Sequence, residues 1–181
     1  MQNIIVTADI TLKPPKLEYA PTIFKLVEQN RTYLGQWLPW VEGTQAESDT
    51  EGFLEHVIRL NHEGRQLSTV IFYKNEIVGL IGLNTIDAIN RKGNIGYWLS
   101  ADKQGLGIIT KSCAGLVQYA FENLQLNKLV LLAAFENRKS RAVPERLGFT
   151  QEGVLRDDVK LNGVFVDIVV YGLLKEEWEK T

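Results

Sequence analysis

The sequence predicts a mixed α/β (α+β) fold, and three observations carry that prediction. Strand-like and helix-like segments follow one another without strict alternation, which favours a mixed sheet over a purely parallel one. The segment KLVLLAAF, residues 128–135, is a continuous apolar run typical of a central strand that is covered on both faces. Asn162-Gly163, between two strand-like segments, is a strong signal for a two-residue hairpin turn.

Length and composition agree with a single domain over residues 1–181. The chain is 45% hydrophobic and 23% charged, with a formal net charge of −2. This length is enough to bury a sizeable core, and the small net charge gives no argument for a nucleic-acid or membrane partner. Cys113 is the one cysteine, so no internal disulfide forms. No signal-peptide pattern or long apolar span occurs, and we therefore expect a cytoplasmic protein.

The N-terminal third predicts one strand and two helices. Residues 3–13 form the first predicted strand. Pro21 suits the first position of a helix, and Ser48 with Glu51 three residues later is a capping-box pattern for the second helix. Between them, RTYLGQWLPW, residues 31–40, predicts a loop with an apolar surface.

The remainder of the chain predicts further strands and two helices. The strands are short, rich in β-branched or aromatic residues and bounded by turn residues, whereas the helices show apolar residues at helical spacing. The predicted strands are residues 66–73, 76–86, 94–100, 128–136, 154–161 and 164–174, and the predicted helices begin near Gly107 and Ser140.

The stretch KQGLGIITKS, residues 103–112, joins a predicted strand to a helix. The first N–H groups of a helix lack partners within the helix and lie at the positive end of its dipole, so this turn predicts an anion site. A Walker A loop is excluded by the spacing, and a dinucleotide fingerprint is excluded because Thr110 replaces its third glycine. An ordinary strand-to-helix turn remains the alternative.

The surrounding motifs resemble the GNAT superfamily of CoA-dependent N-acyltransferases, and within it the RimJ/RimL-type subgroup. Residues 104–107 match the subgroup's Q-G-x-G, residues 137–149 match N-x-x-S-x-x-V-x-x-x-x-G-F, and residues 30–40 match N-x-x-x-L-x-x-W-L-P-W. The closing hairpin, with an acid at Asp167, is similar as well. The resemblance covers nearly the whole chain in the right order.

This resemblance implies the GNAT fold, a mixed, mostly antiparallel, six- to seven-stranded sheet flanked by helices. The sheet is expected to splay between the fourth strand, residues 94–100, and the fifth, residues 128–136. Acetyl-CoA is implied as co-substrate, without a metal, with its pyrophosphate at the helix start and its pantetheine arm in the gap. The residues implied for cofactor binding are Trp98, Leu99, Gln104, Gly105, Leu106, Gly107, Ile108, Ile109, Thr110, Asn137 and Ser140.

The implied reaction is direct attack of an uncharged amine on the thioester in a ternary complex. We expect the backbone N–H of Leu99 to donate to the thioester oxygen. Ser140 is the candidate general acid, and capping of the short helix is a compatible alternative for it. The predicted fourth strand lacks the Glu that many members of the superfamily carry. The remaining acids near the expected cleft are Glu136, Asp157, Asp158 and Asp167. Asp158 is the candidate base among them, and water is the alternative.

Trp37, Trp40 and Asp167 are the residues expected to bind the acceptor, and packing alone is the alternative for the tryptophans. The resemblance implies a protein N-terminal α-amine of the ribosomal-protein type as acceptor. A small amine such as a polyamine or an antibiotic, or a non-catalytic acyl-CoA-binding module, remains open, as does a homo-oligomer. Cys113 falls on the apolar stripe of its helix, which favours a core residue over an acyl-enzyme nucleophile.

Overall fold

The structure is a computed structural model that describes residues 2–180. Its centre is one eight-stranded sheet with the strand order β1-β2-β3-β4-β5-β6-β8-β7. The β5–β6 pair is parallel and the other neighbouring pairs are antiparallel, so the predicted mixed, mostly antiparallel sheet is confirmed. The strands are β1 (Ile4–Ile5), β2 (Ile10–Lys13), β3 (Leu67–Tyr73), β4 (Glu76–Asp87), β5 (Lys92–Leu99), β6 (Lys128–Ala134), β7 (Thr150–Leu161) and β8 (Val164–Leu174).

Successive residues of a strand point to opposite faces of the sheet. Apolar side chains on both faces are covered by helices. Two short helices, α2 and α3, occupy the segment predicted as a loop and the residues just after it. The α-helices are α1 (Ala20–Gln29), α2 (Arg31–Leu34), α3 (Trp40–Gly43), α4 (Glu47–His62), α5 (Ile108–Glu122), α6 (Arg138–Arg146) and α7 (Lys175–Trp178). Ile71 packs into the larger core cluster with α5, whereas its neighbours Val70 and Phe72 pack with α1 and α4.

The sheet has one strand more than the six to seven predicted, because the predicted first strand over residues 3–13 is two strands. A tight turn separates them, in which the Thr7 hydroxyl accepts hydrogen bonds from the N–H groups of Asp9 and Ile10. The polar residues of this turn interrupt the apolar pattern only briefly, so the sequence did not reveal it. The predicted fourth and fifth strands are therefore β5 and β6.

The start of α4 also differs from the prediction. The helix begins at Glu47, and the Asp49 carboxylate accepts hydrogen bonds of 2.8 Å from the N–H groups of Gln45 and Ala46. Asp49 thus takes the part predicted for Glu51, and the predicted cap at Ser48 is wrong. An aspartate in the first turn satisfies two N–H groups that precede the helix and complements its dipole.

The splay between β5 and β6 is confirmed by their register. The two strands pair only from Lys92 to Ile95 on the β5 side. Beyond that point residues 96–99 stay paired with β4, and residues 132–134 stay paired with β8. The edges of β5 and β6 that face each other are therefore open over this second half.

Cys113 lies in the core of the α5 face, fully buried, as the apolar stripe predicts. Burial raises the pKa of its thiol to about 12, which leaves little of the nucleophilic thiolate at neutral pH. None of the helices within residues 2–180 has the length and apolar character needed to cross a bilayer.

Candidate active site

A cleft of about 1340 Å³ is lined by the diverging halves of β5 and β6 and continues to both faces of the sheet. On one side it reaches the start of α5, and we call residues Gln104–Thr110 the α5 end. On the other side it is lined by Trp40, Phe53 and Trp98, which we call the aromatic end. The open strand edges connect the two ends, so a long ligand has a continuous path through the sheet.

The two glycines of the α5 end adopt backbone conformations that favour glycine. Gly105 has φ of +77° and Gly107, the N-cap of α5, has φ of +72°. A side chain at Gly105 would meet nothing within 4 Å, and one at Gly107 would meet only the Lys111 Cε at 3.9 Å. The glycines are therefore required by the turn itself and not by packing, and they leave open space beside the backbone.

The start of α5 presents free backbone donors to the cleft. The first N–H with a partner in the helix is that of Lys111, which donates to the Gly107 carbonyl at 3.0 Å. The N–H groups of Ile108, Ile109 and Thr110 precede it and have no acceptor within the helix. These donors and the positive end of the dipole have the geometry that a phosphate group needs, in agreement with the anion site that the sequence predicts.

Cationic side chains line the same cleft: Lys103, Lys111, Lys139 and Arg146. The Lys139 ammonium donates to the Gln104 Oε1 at 2.9 Å, which ties α6 to the glycine turn. Sequence reasoning predicted no role for these side chains. Lys103 and Lys111 flank the glycine turn in the sequence, and this spacing could have predicted positive charge beside the backbone donors.

The open edge of β5 carries free main-chain groups. The Ser100 N–H donates to the Val78 carbonyl at 2.9 Å, on the β4 side. Because successive residues of a strand direct their N–H groups to alternate edges, the Leu99 N–H faces the gap, and so does that of Tyr97. The Leu99 N–H is thus available to a ligand in the gap.

Asn137 and Ser140 lie at the start of α6, beside the gap. The Asn137 side chain is the cap of this helix, since its Oδ1 accepts from the Ser140 N–H at 3.1 Å. The alternative that Ser140 itself caps α6 is therefore wrong. The Ser140 Oγ lies 3.2 Å from the Tyr97 hydroxyl, and both residues line the cleft. Burial raises the pKa of Tyr97 far above its usual range, which keeps the phenol protonated.

The tryptophans predicted at the acceptor side differ in their surroundings. The side chain of Trp40 is 42% exposed, and its ring centroid lies 6.1 Å from that of Trp98. Phe53 lines the same end of the cleft and is 44% exposed. Trp37 also lines the cleft, but it packs against the buried cluster of Ala134, Leu161 and Ile168. Trp40 therefore offers a ring face to a ligand, and Trp37 mainly supports the hairpin β7–β8.

Three of the predicted residues are not among those that line the cleft: Leu106, Asp158 and Asp167. Asp158 is exposed in the irregular stretch of β7 between Leu155 and Val159, and the Asp167 carboxylate accepts from the Asp157 N–H at 3.0 Å. Among the described residues that line the cleft, the one carboxylate is that of Asp49. Its hydrogen bonds from the N–H groups of Gln45 and Ala46 lower its pKa, so it is ionised at neutral pH.

Comparison with known proteins gives a family. A family model described as "Acetyltransferase (GNAT) domain" matches residues 9–150. The chain is 39% identical over 175 residues to the "Putative ribosomal N-acetyltransferase YdaF" of Bacillus subtilis (strain 168), with 96% of each chain covered.

Two solved structures are similar over nearly their whole length. The microcin self-immunity acetyltransferase MccE, in complex with acetyl-CoA and AMP, has 35% identity, a TM-score of 0.92 and 96% of each chain covered. RimL, a ribosomal alpha-N-protein acetyltransferase in complex with coenzyme A, has 28% identity and a TM-score of 0.94, with 97% of this chain and 99% of that one covered.

Proposed function

The chain belongs to the GNAT family of acetyltransferases, and from this premise we propose that it acts as a single catalytic domain that acetylates the α-amine at a protein N-terminus. The relatives are acetyltransferases by name, and two of the structural neighbours hold acetyl-CoA or coenzyme A. The observation that carries the choice of acceptor is the end-to-end similarity to RimL, an alpha-N-protein acetyltransferase, with a TM-score of 0.94.

The α5 end and the open gap fit the donor. Acetyl-CoA supplies an acetyl group activated as a thioester, together with anionic phosphates and an amide-bearing arm. In the proposal, residues 104–110 hold the pyrophosphate through backbone N–H groups, and the lysines at positions 103, 111 and 139 add opposite charge. The open edges of β5 and β6 supply hydrogen-bond partners for the amides of the arm, as an added strand would.

The Leu99 N–H and Ser140 are the groups proposed to assist the transfer. The Leu99 N–H faces the gap and donates to the thioester oxygen as negative charge develops there. The Ser140 hydroxyl donates a hydrogen bond to the departing thiolate, which the positive end of the α6 dipole also stabilises, and the thiolate then takes up the proton that the amine releases through water. An uncharged α-amine attacks directly, because the two substrates are held in one geometry.

We propose water as the base, in place of Asp158. Asp158 lies outside the cleft lining, and the Asp49 carboxylate is engaged with backbone N–H groups at the start of α4. An α-amine has a pKa near 8, so an appreciable fraction is already neutral at physiological pH. The chain then needs only to admit the neutral amine and to leave water in contact with it.

The charge of the cleft supports a peptide over a polyamine. Asp49 supplies the one carboxylate among the described lining residues, and three lysines of the lining are assigned to the phosphates of the donor. A polyamine carries several ammonium groups, and a single carboxylate can pair with only one of them. A peptide N-terminus brings one amine and main-chain amides, which the neutral side chains of Gln66, Asn84 and Asn94 in the lining can bind.

A second candidate acceptor is an amine linked to a nucleotide. MccE, whose structure contains AMP beside acetyl-CoA, is 35% identical to this chain. Trp40 and Phe53 offer partly exposed rings in the cleft, and such rings suit stacking of a planar base. This acceptor would enter by the aromatic end and present its amine to the same gap.

An acceptor panel tests the proposal. Release of the CoA thiol is followed with acetyl-CoA and one of four acceptors. These are a peptide with a free N-terminal serine, the same peptide with a blocked N-terminus, spermidine, and an aminoacyl sulfamoyl-adenosine. We expect turnover with the free peptide and none with the blocked one. Turnover confined to spermidine or to the adenosine compound would reassign the acceptor. Acetyl-CoA binding without turnover on any of them would indicate a non-catalytic module.

A further inference from the structure

Two tyrosine hydroxyls hold α6 against the sheet, one from each side of the open gap. Tyr171 of β8 donates to the Glu145 carboxylate at 2.7 Å and accepts from the Arg141 guanidinium at 3.0 Å. Tyr97 of β5 instead contacts Ser140, with its hydroxyl 3.0 Å from the Ser140 carbonyl oxygen and 3.2 Å from the Ser140 Oγ. Both tyrosines anchor the helix, but only Tyr97 touches the hydroxyl proposed to act in the reaction.

Pro144 explains why Tyr97 reaches the helix backbone. In an α-helix the carbonyl of residue 140 accepts from the N–H of residue 144, four positions on. Here residue 144 is Pro144, inside α6, which has no N–H. The Ser140 carbonyl is therefore without its helical donor, and the Tyr97 O–H takes that place at 3.0 Å.

This arrangement fixes the direction of the Ser140 hydroxyl. The one proton of the Tyr97 hydroxyl is engaged by the Ser140 carbonyl, so the tyrosine oxygen presents lone pairs to the Ser140 Oγ. The Ser140 hydroxyl then donates to Tyr97 at rest and keeps its oxygen at the rim of the gap. A negatively charged acceptor in the gap is a stronger acceptor than the phenol oxygen, and the hydroxyl turns toward it over a short distance.

We propose that Tyr97 is a positioning residue for the acetyl transfer, because its hydroxyl binds the carbonyl that Pro144 leaves free and holds the Ser140 oxygen at the rim of the gap. The inference rests on the proposed function, in which Ser140 assists departure of the thiolate. It predicts that Tyr97 acts only through Ser140. It also predicts that Tyr97 influences the thiol end of coenzyme A and not the phosphate end, which binds at the start of α5.

The ionisation of bound coenzyme A tests this directly and needs no acceptor. The ultraviolet absorbance of the thiolate is titrated in the complex of the full chain with CoA, for the wild type and for the variants. Ser140→Ala and Tyr97→Phe should each lower the acid dissociation constant of the bound thiol, by about tenfold for loss of one hydrogen bond to an anion. The double variant should match Ser140→Ala alone. The charged residues that line the cleft, Lys103, Lys111, Lys139, Arg146 and Asp49, are the same in every variant.

Two control variants separate positioning from anchoring. Tyr171→Phe removes the other hydroxyl that holds α6 and should leave the acid dissociation constant of the bound thiol unchanged. Pro144→Ala, added to Tyr97→Phe, restores an N–H donor for the Ser140 carbonyl, so the melting temperature should recover while the thiol constant stays low. Three results would each overturn the role of Tyr97. The acid dissociation constant of the bound thiol could be unchanged in Tyr97→Phe, it could fall equally in Tyr171→Phe, or Pro144→Ala could restore it fully in the Tyr97→Phe background. An unchanged constant in Ser140→Ala would instead overturn the proposed role of Ser140, and with it this inference.

Discussion

The two ends of the cleft are built from different groups. The α5 end offers main-chain N–H donors from one continuous segment, with glycines at positive φ and lysines beside them. The aromatic end is assembled from the side chains of α3, α4 and β5, which meet only in the folded protein. A main-chain site depends on backbone conformation, whereas a side-chain site changes with every substitution. Under the proposed function, recognition of the donor and recognition of the acceptor therefore depend on different groups of the chain.

The largest effect is expected from a substitution in the α5 end. Gly107→Val places a β-branched residue at φ of +72° and fills the open space beside the helix start. We expect acetyl-CoA affinity measured by calorimetry to fall about 100-fold, as expected when several charge-assisted hydrogen bonds to phosphate are lost. Gly64→Val is the matched control, since Gly64 has φ of +68°, lies just after α4 and is not among the residues that line the cleft. Similar loss of affinity in both variants would assign the effect to backbone strain alone.

The second largest effect is expected at Ser140, which lies beside the gap between the two ends of the cleft. Ser140→Ala removes the hydroxyl proposed to bind the departing thiolate, and kcat should fall about 30-fold, because a good leaving group needs only part of the usual contribution of a general acid. Acetyl-CoA affinity should change less than about threefold, since the phosphate contacts are untouched. Equal losses in kcat and in affinity would return Ser140 to a binding role.

Trp40→Ala tests whether the aromatic end binds the acceptor independently of the donor. The KM for the acceptor should rise about tenfold, the loss expected for one partly exposed aromatic contact, while acetyl-CoA affinity stays at the wild-type value. Ile89→Ala controls for removal of an exposed apolar side chain, because Ile89 is 93% exposed and does not line the cleft. A loss of acetyl-CoA affinity in Trp40→Ala would show that the two ends are not separate.

The smallest expected effect concerns the charge of the α5 end. Lys139→Ala removes one ammonium group, together with its hydrogen bond to Gln104. Acetyl-CoA affinity should fall about threefold at low salt, and the difference from wild type should shrink as salt is added, because exposed charges are screened. A difference that persists at high salt would point to a packing role for the side chain.

The sequence predicts the α5 end of the cleft better than the aromatic end, because the two ends are built differently. The α5 end is one contiguous segment, residues 104–110, so a local motif marks it, and the Q-G-x-G motif together with the neighbouring motifs predicted its role. Helical spacing likewise predicted the burial of Cys113. The missed features depend on contacts between distant residues. Tyr97 and Ser140 are 43 positions apart, and no local pattern reveals their contact.

The predicted acceptor residues show the same limit. Trp37 and Trp40 share one motif and both line the cleft, yet Trp37 also packs against the β7–β8 hairpin. Asp158 and Asp167 lie within β7 and β8, but neither lines the cleft. An irregular stretch in β7, between Leu155 and Val159, shifts the register around Asp158. Strand patterns predict which residues share a face, and a bulge changes that face without a clear sequence signal.

Hydrogen–deuterium exchange of the full chain with and without coenzyme A tests the separation of the two ends most directly. We predict slower exchange of the backbone amides in residues 104–110 and at the open β5 edge, residues 96–99, when coenzyme A is bound. Exchange in residues 37–53, which contain Trp40 and Phe53, should not change. Unchanged exchange in residues 104–110, or protection confined to residues 37–53, would contradict binding of coenzyme A at the α5 end.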